Sequence, residues 1–165
     1  MKVCAVLAAV AVGATSAAGL EGWSYTGLTE LQSKYARRIT AQARKEELGA
    51  QGCQAAIATA LMESTLIMHA NSAVPGSLAF HHDRLGYDGD SVGLFQQRAS
   101  IYTDLGCSMN AACSAHQFFV EMRDVPDWES MDVGTLCQAV QRSQNPERYY
   151  EFIDLAASVC AEAGL

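Results

Sequence analysis

The segment from Cys53 to Glu63 constrains the fold most, because as a helix it would be apolar on nearly every side. A helix that is apolar all round has to be buried among other elements. We therefore predict a central, buried helix from about Cys53 to His69 and expect the Gly49 to Gly52 stretch to end the helix before it.

Four other segments carry helical signals. Thr29, with Gln32 three residues later, forms a capping-box pattern that starts the first helix. Cap residues and apolar spacing predict three more helices, at Ala111 to Met122, at Val133 to Gln141 behind Asp132, and at Pro146 to Ala161 behind Asn145. The fold class is therefore mainly α, in a single domain with no convincing set of strands.

Between Asn71 and Arg98 the helical periodicity vanishes, and glycines and aspartates are frequent. This pattern indicates a long ordered loop, and such loops in compact domains are commonly functional. A short hairpin near Leu85 to Val92 is the alternative for part of this segment.

The start of the chain has the pattern of a secretory signal. Lys2 precedes an apolar run over residues 3–12, and small residues then suit cleavage before Gly19. The apolar run is shorter than the roughly 20 residues that span a bilayer, so we expect no membrane insertion. The chain is thus divided into a signal peptide, 1–18, and an exported domain, 19–165.

Cysteine usage agrees with export. Cys4 would leave with the signal, and five cysteines would remain: Cys53, Cys107, Cys113, Cys137 and Cys160. Two disulfides and one buried free thiol are the simplest interpretation of this odd number in an oxidising compartment. Cys107 and Cys113 close a short loop and are the best single pair, whereas the other pairing stays open. Metal ligation by these cysteines is disfavoured, because none has finger-like spacing from another cysteine or a histidine.

The net charge of −7 becomes one unit more negative when Lys2 is removed. A nucleic-acid partner would require a basic face, so the charge argues against one. It also gives no overall cationic bias that would steer the molecule toward anionic surfaces.

Glu63 requires a physical explanation, because a carboxylate inside an apolar helix costs free energy unless it is paired, protonated or facing a cleft. Ala56 and Ala60 share its helical face and leave room beside the carboxyl group. Burial would raise the pKa of Glu63 and keep its proton available for donation. The alternative is a structural glutamate neutralised by Arg98 or Arg142.

Separated motifs together resemble one enzyme superfamily. Glu63-Ser64, followed at a distance by Gly-Leu-Phe-Gln-Gln-Arg at residues 93–98, resembles the paired signature of goose-type lysozymes and soluble lytic transglycosylases. Further segments resemble the transglycosylase-like domain of actinobacterial wall enzymes: Thr29 to Leu66, Asp90 to Arg98, and Ala139 to Ser143 with Tyr149. Residues 71–75 and the Asp-(x)-Asp-Ser loop most resemble secreted fungal muramidases. The resemblance covers nearly the whole exported domain.

The resemblance implies a lysozyme-like domain that cleaves the β-1,4 bond between N-acetylmuramic acid and N-acetylglucosamine in bacterial peptidoglycan. It implies a secreted, antibacterial, monomeric enzyme without a cofactor, with Glu63 as general acid. Gln96 matches a cleft glutamine that would bind an N-acetyl or hydroxyl group, the alternative being a loop-to-helix hydrogen bond. Further substrate contacts are expected from Ser64, Gly93, Phe95, Gln97 and Tyr149.

Some of these residues have structural alternatives. Gly93 would suit a close backbone approach or a positive φ, and a plain turn explains it equally well. Core packing is the default for Tyr149 and Tyr150, with one of them a candidate cleft aromatic. Three other aromatic residues are interpreted as core: Phe118, Phe119 and Trp128.

A hydrolase usually needs a second carboxylate, as a base for water or as a nucleophile. We choose Asp90, because it precedes the matched turn and would face Glu63. Asp88 is the close rival and Asp83 a distant one, and turn formation is the structural alternative for all three. Lytic transglycosylases do without this group, since the substrate's own N-acetyl group assists and a sugar hydroxyl closes an anhydro ring.

Two other functions remain as alternatives. One is a lytic transglycosylase that releases 1,6-anhydro ends, and the other is a non-catalytic secreted protein that binds wall glycans or chitin. Intact Glu63 and Gln96 disfavour the second. A metal site at His81, His82 and Asp83 is disfavoured, because no further ligand has suitable spacing.

Overall fold

The computed structural model describes residues 23–165, which are mainly helical. The predicted signal peptide and its cleavage site before Gly19 lie outside the described residues. The helices are α1 Glu30–Lys45, α2 Gly49–Ser64, α3 Leu105–Ser108, α4 Ala111–Arg123, α5 Val133–Gln141 and α6 Ile153–Glu162. The strands are β1 His69–Asn71, β2 Arg84–Gly86, β3 Ser91–Val92 and β4 Gln97–Arg98, and 3-10 helices cover Pro75–Ala79 and Pro146–Phe152.

Helix α1 starts at the predicted capping box. The Thr29 hydroxyl accepts a hydrogen bond from the Gln32 backbone N–H at 3.3 Å, and the Gln32 side chain accepts one from the Thr29 N–H at 2.9 Å. These reciprocal bonds satisfy donors that would otherwise be unpaired at the helix start. The predicted N-terminus is therefore confirmed.

Helix α2 is the buried central helix that the apolar segment predicts. Every residue from Ala55 to Leu61 is buried, and α2 packs against α1, α4, α5 and α6. Its predicted bounds are wrong at both ends. Gly49 to Gly52 form its first turn instead of a break, and a Cβ at Gly52 would lie 2.6 Å from the Leu48 Cβ.

The C-terminal end of α2 matters most for the site. Thr65 adopts the left-handed conformation with φ of 56°, which stops the helix at Ser64 instead of near His69. Glu63 therefore lies in the last turn of α2, where the buried helix emerges from the core.

The segment from Asn71 to Arg98, predicted as a loop, contains short strands. Strand β1 pairs in parallel with β2, and β3 pairs with β4 in an antiparallel hairpin. Each strand has three residues or fewer, which is too short for alternation to appear in the sequence. The buried Asn71 amide holds the segment together by donating to the carbonyl oxygens of Gly89 and Ser91 at 3.2 and 3.0 Å.

The C-terminal helical segments follow the predictions with one difference. The α4 and α5 helices begin where predicted, and the Asp132 carboxylate caps α5 by accepting from the Thr135 N–H at 2.9 Å. The last predicted helix is split into the Pro146–Phe152 3-10 helix and α6. Tyr149 lies in the 3-10 segment and is fully buried.

Two disulfides and a buried thiol complete the interior. Cys53–Cys160 joins α2 to α6, Cys107–Cys113 joins α3 to α4, and Cys137 is free and buried. Both the expected Cys107–Cys113 pair and the expected number of bridges are present. Phe118 and Phe119 are buried, and Trp128 packs partly buried against the same core. No helix within residues 23–165 is both long and apolar enough to span a bilayer.

Candidate functional site

The end of α2, the β3–β4 hairpin and the segment after α5 surround a cavity of about 460 Å³. The cavity is lined by Met62, Glu63, Asp88, Ser91, Gln96, Arg98, residues 141–145 and Arg148. Its lining is almost entirely polar, in contrast to the apolar interior beside it. This pocket contains the predicted acid and the predicted cleft glutamine.

Glu63 is half-buried in the wall of the pocket, and its pKa is raised above the ordinary value of 4.5. Burial is the largest cause, and the negative charge of Asp88 adds to it. A hydrogen bond from Tyr149 and the charge of Arg148 act in the opposite direction. Among the described residues no arginine lies within 4.0 Å of the Glu63 carboxyl group, so the predicted alternative of a structural ion pair is not observed.

Tyr149 is fully buried, and its hydroxyl donates to Glu63 Oε1 at 2.7 Å. Burial and the neighbouring Glu63 raise the pKa of Tyr149 well above its ordinary value, so the phenol remains a donor at all pH values of interest. We expected Tyr149 to contact substrate. Its position corrects that expectation, because Tyr149 does not line the pocket and contacts Glu63 from the core side.

Four of the other predicted substrate contacts lie beneath the surface of the pocket. The buried Ser64 hydroxyl donates to the Leu94 carbonyl oxygen at 2.7 Å, tying the end of α2 to the 93–98 turn. Phe95 is fully buried and stacks on Phe118 with ring centroids 5.2 Å apart. Gln97 is buried and donates to the Ser114 carbonyl oxygen at 3.1 Å. These residues hold the turn in place.

Gly93 is the fourth predicted substrate contact that lies beneath the pocket surface. Its φ is +80°, and a Cβ there would lie 2.2 Å from the Ser108 carbonyl oxygen. Gly93 therefore allows a close backbone approach, which decides between the two alternatives that the sequence left open.

Gln96 faces the pocket. It has a φ of +49°, which is uncommon for a residue with a side chain, and its Nε2 donates to the Gly93 carbonyl oxygen at 3.0 Å. Strained backbone conformations of this kind are concentrated at functional sites. The 93–98 turn thus presents Gln96 and Arg98 to the pocket and buries Phe95 and Gln97.

The carboxylates differ in position from the expectation. Asp90 does not line the pocket, and its Oδ2 accepts from the Ser100 N–H at 2.7 Å. Hydrogen bonding to the Ser100 side chain and then to its backbone N–H lowers the pKa of Asp90. Asp88, the close rival, lines the pocket with Glu63. Asp83 accepts hydrogen bonds from the Tyr35 hydroxyl and the Met68 N–H at 2.6 and 3.1 Å. The structure therefore places Asp88, and not the preferred Asp90, in the pocket with Glu63.

The exposed His81 lies 3.4 Å from the Asp83 carboxylate. Within residues 23–165, no group of three or more histidine, cysteine, aspartate or glutamate side chains is arranged to hold a metal ion.

Sequence reasoning missed part of the pocket wall, at residues 143–145 and Arg148. These residues lie between two helices, and their polar character is typical of an exposed connection. Arg142 has a φ of 55° at the end of α5, but a positive φ leaves no signal in the sequence.

No protein-family model matches this chain, and no curated protein matches it significantly. The functional assignment therefore depends on the chemistry of the pocket and on the motif resemblance described above.

Proposed function

We propose that the protein is a secreted muramidase with a lysozyme-like domain, which hydrolyses the β-1,4 bond between N-acetylmuramic acid and N-acetylglucosamine in peptidoglycan. The observation that carries this proposal is the half-buried Glu63, with its raised pKa, in the same pocket as Asp88. Two carboxyl groups in different environments are the arrangement that glycoside hydrolysis requires. The resemblance of the Glu-Ser and Gly-Leu-Phe-Gln-Gln-Arg motifs to lysozyme-like enzymes supplies the substrate class.

Glu63 acts as the general acid in this proposal. Burial keeps its proton bound at a pH where an exposed glutamate would be ionised. The Tyr149 hydroxyl holds Oε1, which leaves Oε2 to donate the proton to the leaving glycosidic oxygen. Gln96 then orients the substrate through an N-acetyl or hydroxyl group.

Asp88 acts as the second carboxylate. It is exposed at the pocket, an environment different from that of the half-buried Glu63. As a carboxylate it either activates a water molecule or stabilises or attacks the oxocarbenium-like sugar. Asp90 closes the hairpin through Ser100 and is left with a structural role.

Mass analysis of fragments released from purified peptidoglycan by the parent protein and by Glu63→Gln tests the proposal. We expect reducing ends from the parent and no release by Glu63→Gln, because the amide has no transferable acidic proton. Glu129→Gln is the matched control, since Glu129 is exposed and does not line the pocket.

Each other outcome would contradict a defined part of the proposal. Release of 1,6-anhydro ends would replace hydrolysis by transglycosylation. Binding to walls without release of fragments would replace the enzyme by a glycan-binding protein. Unchanged activity of Glu63→Gln would remove Glu63 from the mechanism.

A further inference from the structure

Three arginines line the candidate pocket: Arg98 on β4, Arg142 at the end of α5, and Arg148 in the Pro146–Phe152 3-10 helix. We call them the arginine cluster. The whole chain has 11 lysines and arginines against 18 aspartates and glutamates. Three of the 11 positive side chains of an acidic molecule therefore line one pocket.

The arginine cluster makes no direct pairing within the described part of the fold. Among residues 23–165, no carboxylate lies within 4.0 Å of its guanidinium groups, and these groups donate no hydrogen bond. Arg37, Arg44 and Arg123, by contrast, have structural partners. Arg123 pairs with Glu46 at 2.7 Å, and Arg44 donates to the Ala163 carbonyl oxygen.

The backbone at Arg142 supports the same conclusion. It is left-handed, with φ of 55° and ψ of 40°, at the position where a helix usually ends on glycine. A residue with a side chain costs free energy in this conformation. The left-handed backbone conformation therefore does not itself favour an arginine at this position.

The charges of the pocket do not balance when Glu63 is protonated. Asp88 is then the one ionised carboxylate among the lining residues, against the three guanidinium groups. A neutral sugar would not require this excess. A carboxylate on the ligand would balance this positive charge, because a guanidinium group binds a carboxylate through two parallel charge-assisted hydrogen bonds.

We propose that the arginine cluster binds a carboxylate carried on the 3-O side chain of the muramyl residue, so that the pocket selects acidic glycans over neutral chitin. The inference rests on the proposed function and names its substrate more closely. The carboxylate has two chemical sources. It is the lactyl group itself where no peptide is attached, and a carboxylate of the stem peptide where the lactyl group is amidated by that peptide.

Calorimetric binding to the Glu63→Gln protein, which does not consume the ligand, separates these sources. Four glycans of equal length serve as probes: an N-acetylglucosamine oligomer, a peptide-free muramyl glycan, a peptide-bearing glycan, and the peptide-bearing glycan with its carboxylates converted to amides. We expect an acidic glycan to bind at least tenfold more tightly than the neutral oligomer. Tight binding of the peptide-free glycan assigns the lactyl carboxylate, and loss of affinity on amidation assigns the peptide.

Arginine variants in the same background test the cluster directly. Arg142→Gln and Arg148→Gln should each weaken binding of the acidic glycan about tenfold and leave the neutral oligomer unaffected. Arg38→Gln is the control, since Arg38 is exposed on α1 and does not line the pocket. Salt between about 0.05 and 0.5 M should weaken binding of the acidic probe alone, because it screens exposed charges.

Equal affinity for the acidic and neutral glycans would overturn the inference, as would arginine variants that weaken both equally. In that case an inactive Glu63→Gln protein would still leave the muramidase proposal standing. If the parent protein cuts no peptidoglycan but shows arginine-dependent binding of acidic glycan, the muramidase proposal fails and the carboxylate site stands.

Discussion

The hydrogen bond from Tyr149 and the charge of Asp88 have opposite effects on Glu63. A donor stabilises the ionised carboxylate and lowers its pKa, whereas a nearby negative charge destabilises it and raises the pKa. A general acid works in its protonated form, so activity should fall as the pH rises through the pKa of Glu63. Removal of either neighbour should therefore move the alkaline limb of the pH profile in a predictable direction.

Tyr149→Phe removes the donor and keeps the ring that fills the core. We expect the pKa of Glu63 to rise and the alkaline limb of kcat to move to higher pH. The rate at the optimum should fall by about tenfold, because the carboxyl group is no longer held in place. The measurement is kcat as a function of pH on soluble peptidoglycan fragments.

Tyr150→Phe is the control for this change. The exposed Tyr150 hydroxyl donates to Asp132 at 2.6 Å and does not contact Glu63. An alkaline limb that moves equally in both variants, or in neither, would contradict the positioning role of Tyr149.

Asp88→Asn removes the like charge from the pocket. The alkaline limb should move to lower pH, opposite to the shift in Tyr149→Phe, because the pKa of Glu63 falls. The rate should drop about 10²- to 10⁴-fold if Asp88 is the second carboxylate. Release of reducing ends as a function of pH measures both effects.

Asp90→Asn is the matched comparison. It retains an oxygen that can accept from the Ser100 N–H, so activity should stay close to that of the parent. Loss of activity in Asp90→Asn, with full activity in Asp88→Asn, would return the role to Asp90. Full activity in both, with anhydro products, would replace the hydrolase by a transglycosylase.

At the scale of elements, the pocket depends on how the β3–β4 hairpin is held against the helices. The Ser64 hydroxyl binds the Leu94 carbonyl oxygen, and the Gly93 N–H donates to the His69 carbonyl oxygen at 2.8 Å. Gly93 also lies directly against the backbone of α3 at Ser108. The position of Gln96 in the pocket therefore depends on a glycine three residues before it.

Gly93→Ala should test this contact against Gly89→Ala. Both glycines have positive φ, but a Cβ at Gly89 would meet nothing within 4 Å, whereas one at Gly93 would clash with Ser108. We expect Gly89→Ala to cost about 1 kcal/mol for the left-handed backbone. Gly93→Ala should cost a further 1–3 kcal/mol, roughly, for the overpacking, and should reduce cleavage. Urea unfolding measures the difference, and equal losses would show that the close approach is not required.

At the scale of the whole molecule, the two disulfides close loops of very different length. Cys53 and Cys160 are 107 residues apart, and their bond joins the central helix to the last one. Cys107 and Cys113 are 6 residues apart and enclose Ser108, the residue beneath Gly93. The long bridge should therefore stabilise the fold, whereas the short one supports the site.

Replacing both cysteines of each pair by alanine tests this division. In the loop-entropy account, loss of the long bridge costs about 4.7 kcal/mol and loss of the short one about 2 kcal/mol. Denaturant unfolding should show this order, and activity per folded molecule should fall more when the short bridge is removed. Cys137 is free and buried, so Cys137→Ala removes a buried sulfur atom without opening a disulfide loop and serves as the control. A smaller loss for the long bridge would contradict the prediction.

Much of the helical framework could be predicted because its causes are local. Thr29 and Asp132 cap helices through hydrogen bonds to residues three positions away, and the apolar run around Ala58 predicts burial directly. The bounds of α2 could not be predicted. Its first turn depends on close packing of Gly52 against Leu48, and its end depends on left-handed backbone at Thr65, which its residue type does not favour.

The sequence by itself determined that a glutamate lies on a buried, apolar helix, and burial is the physical origin of its raised pKa. Only the tertiary structure decided which aspartate shares its pocket. Asp88 and Asp90 are two residues apart in the same loop, and their surroundings are set by partners far along the chain. Asn71 donates to the backbone at Gly89 and Ser91, and Ser100 binds the Asp90 carboxylate. Local patterns determine helices and burial, whereas hydrogen bonds between distant residues determine which side chains meet.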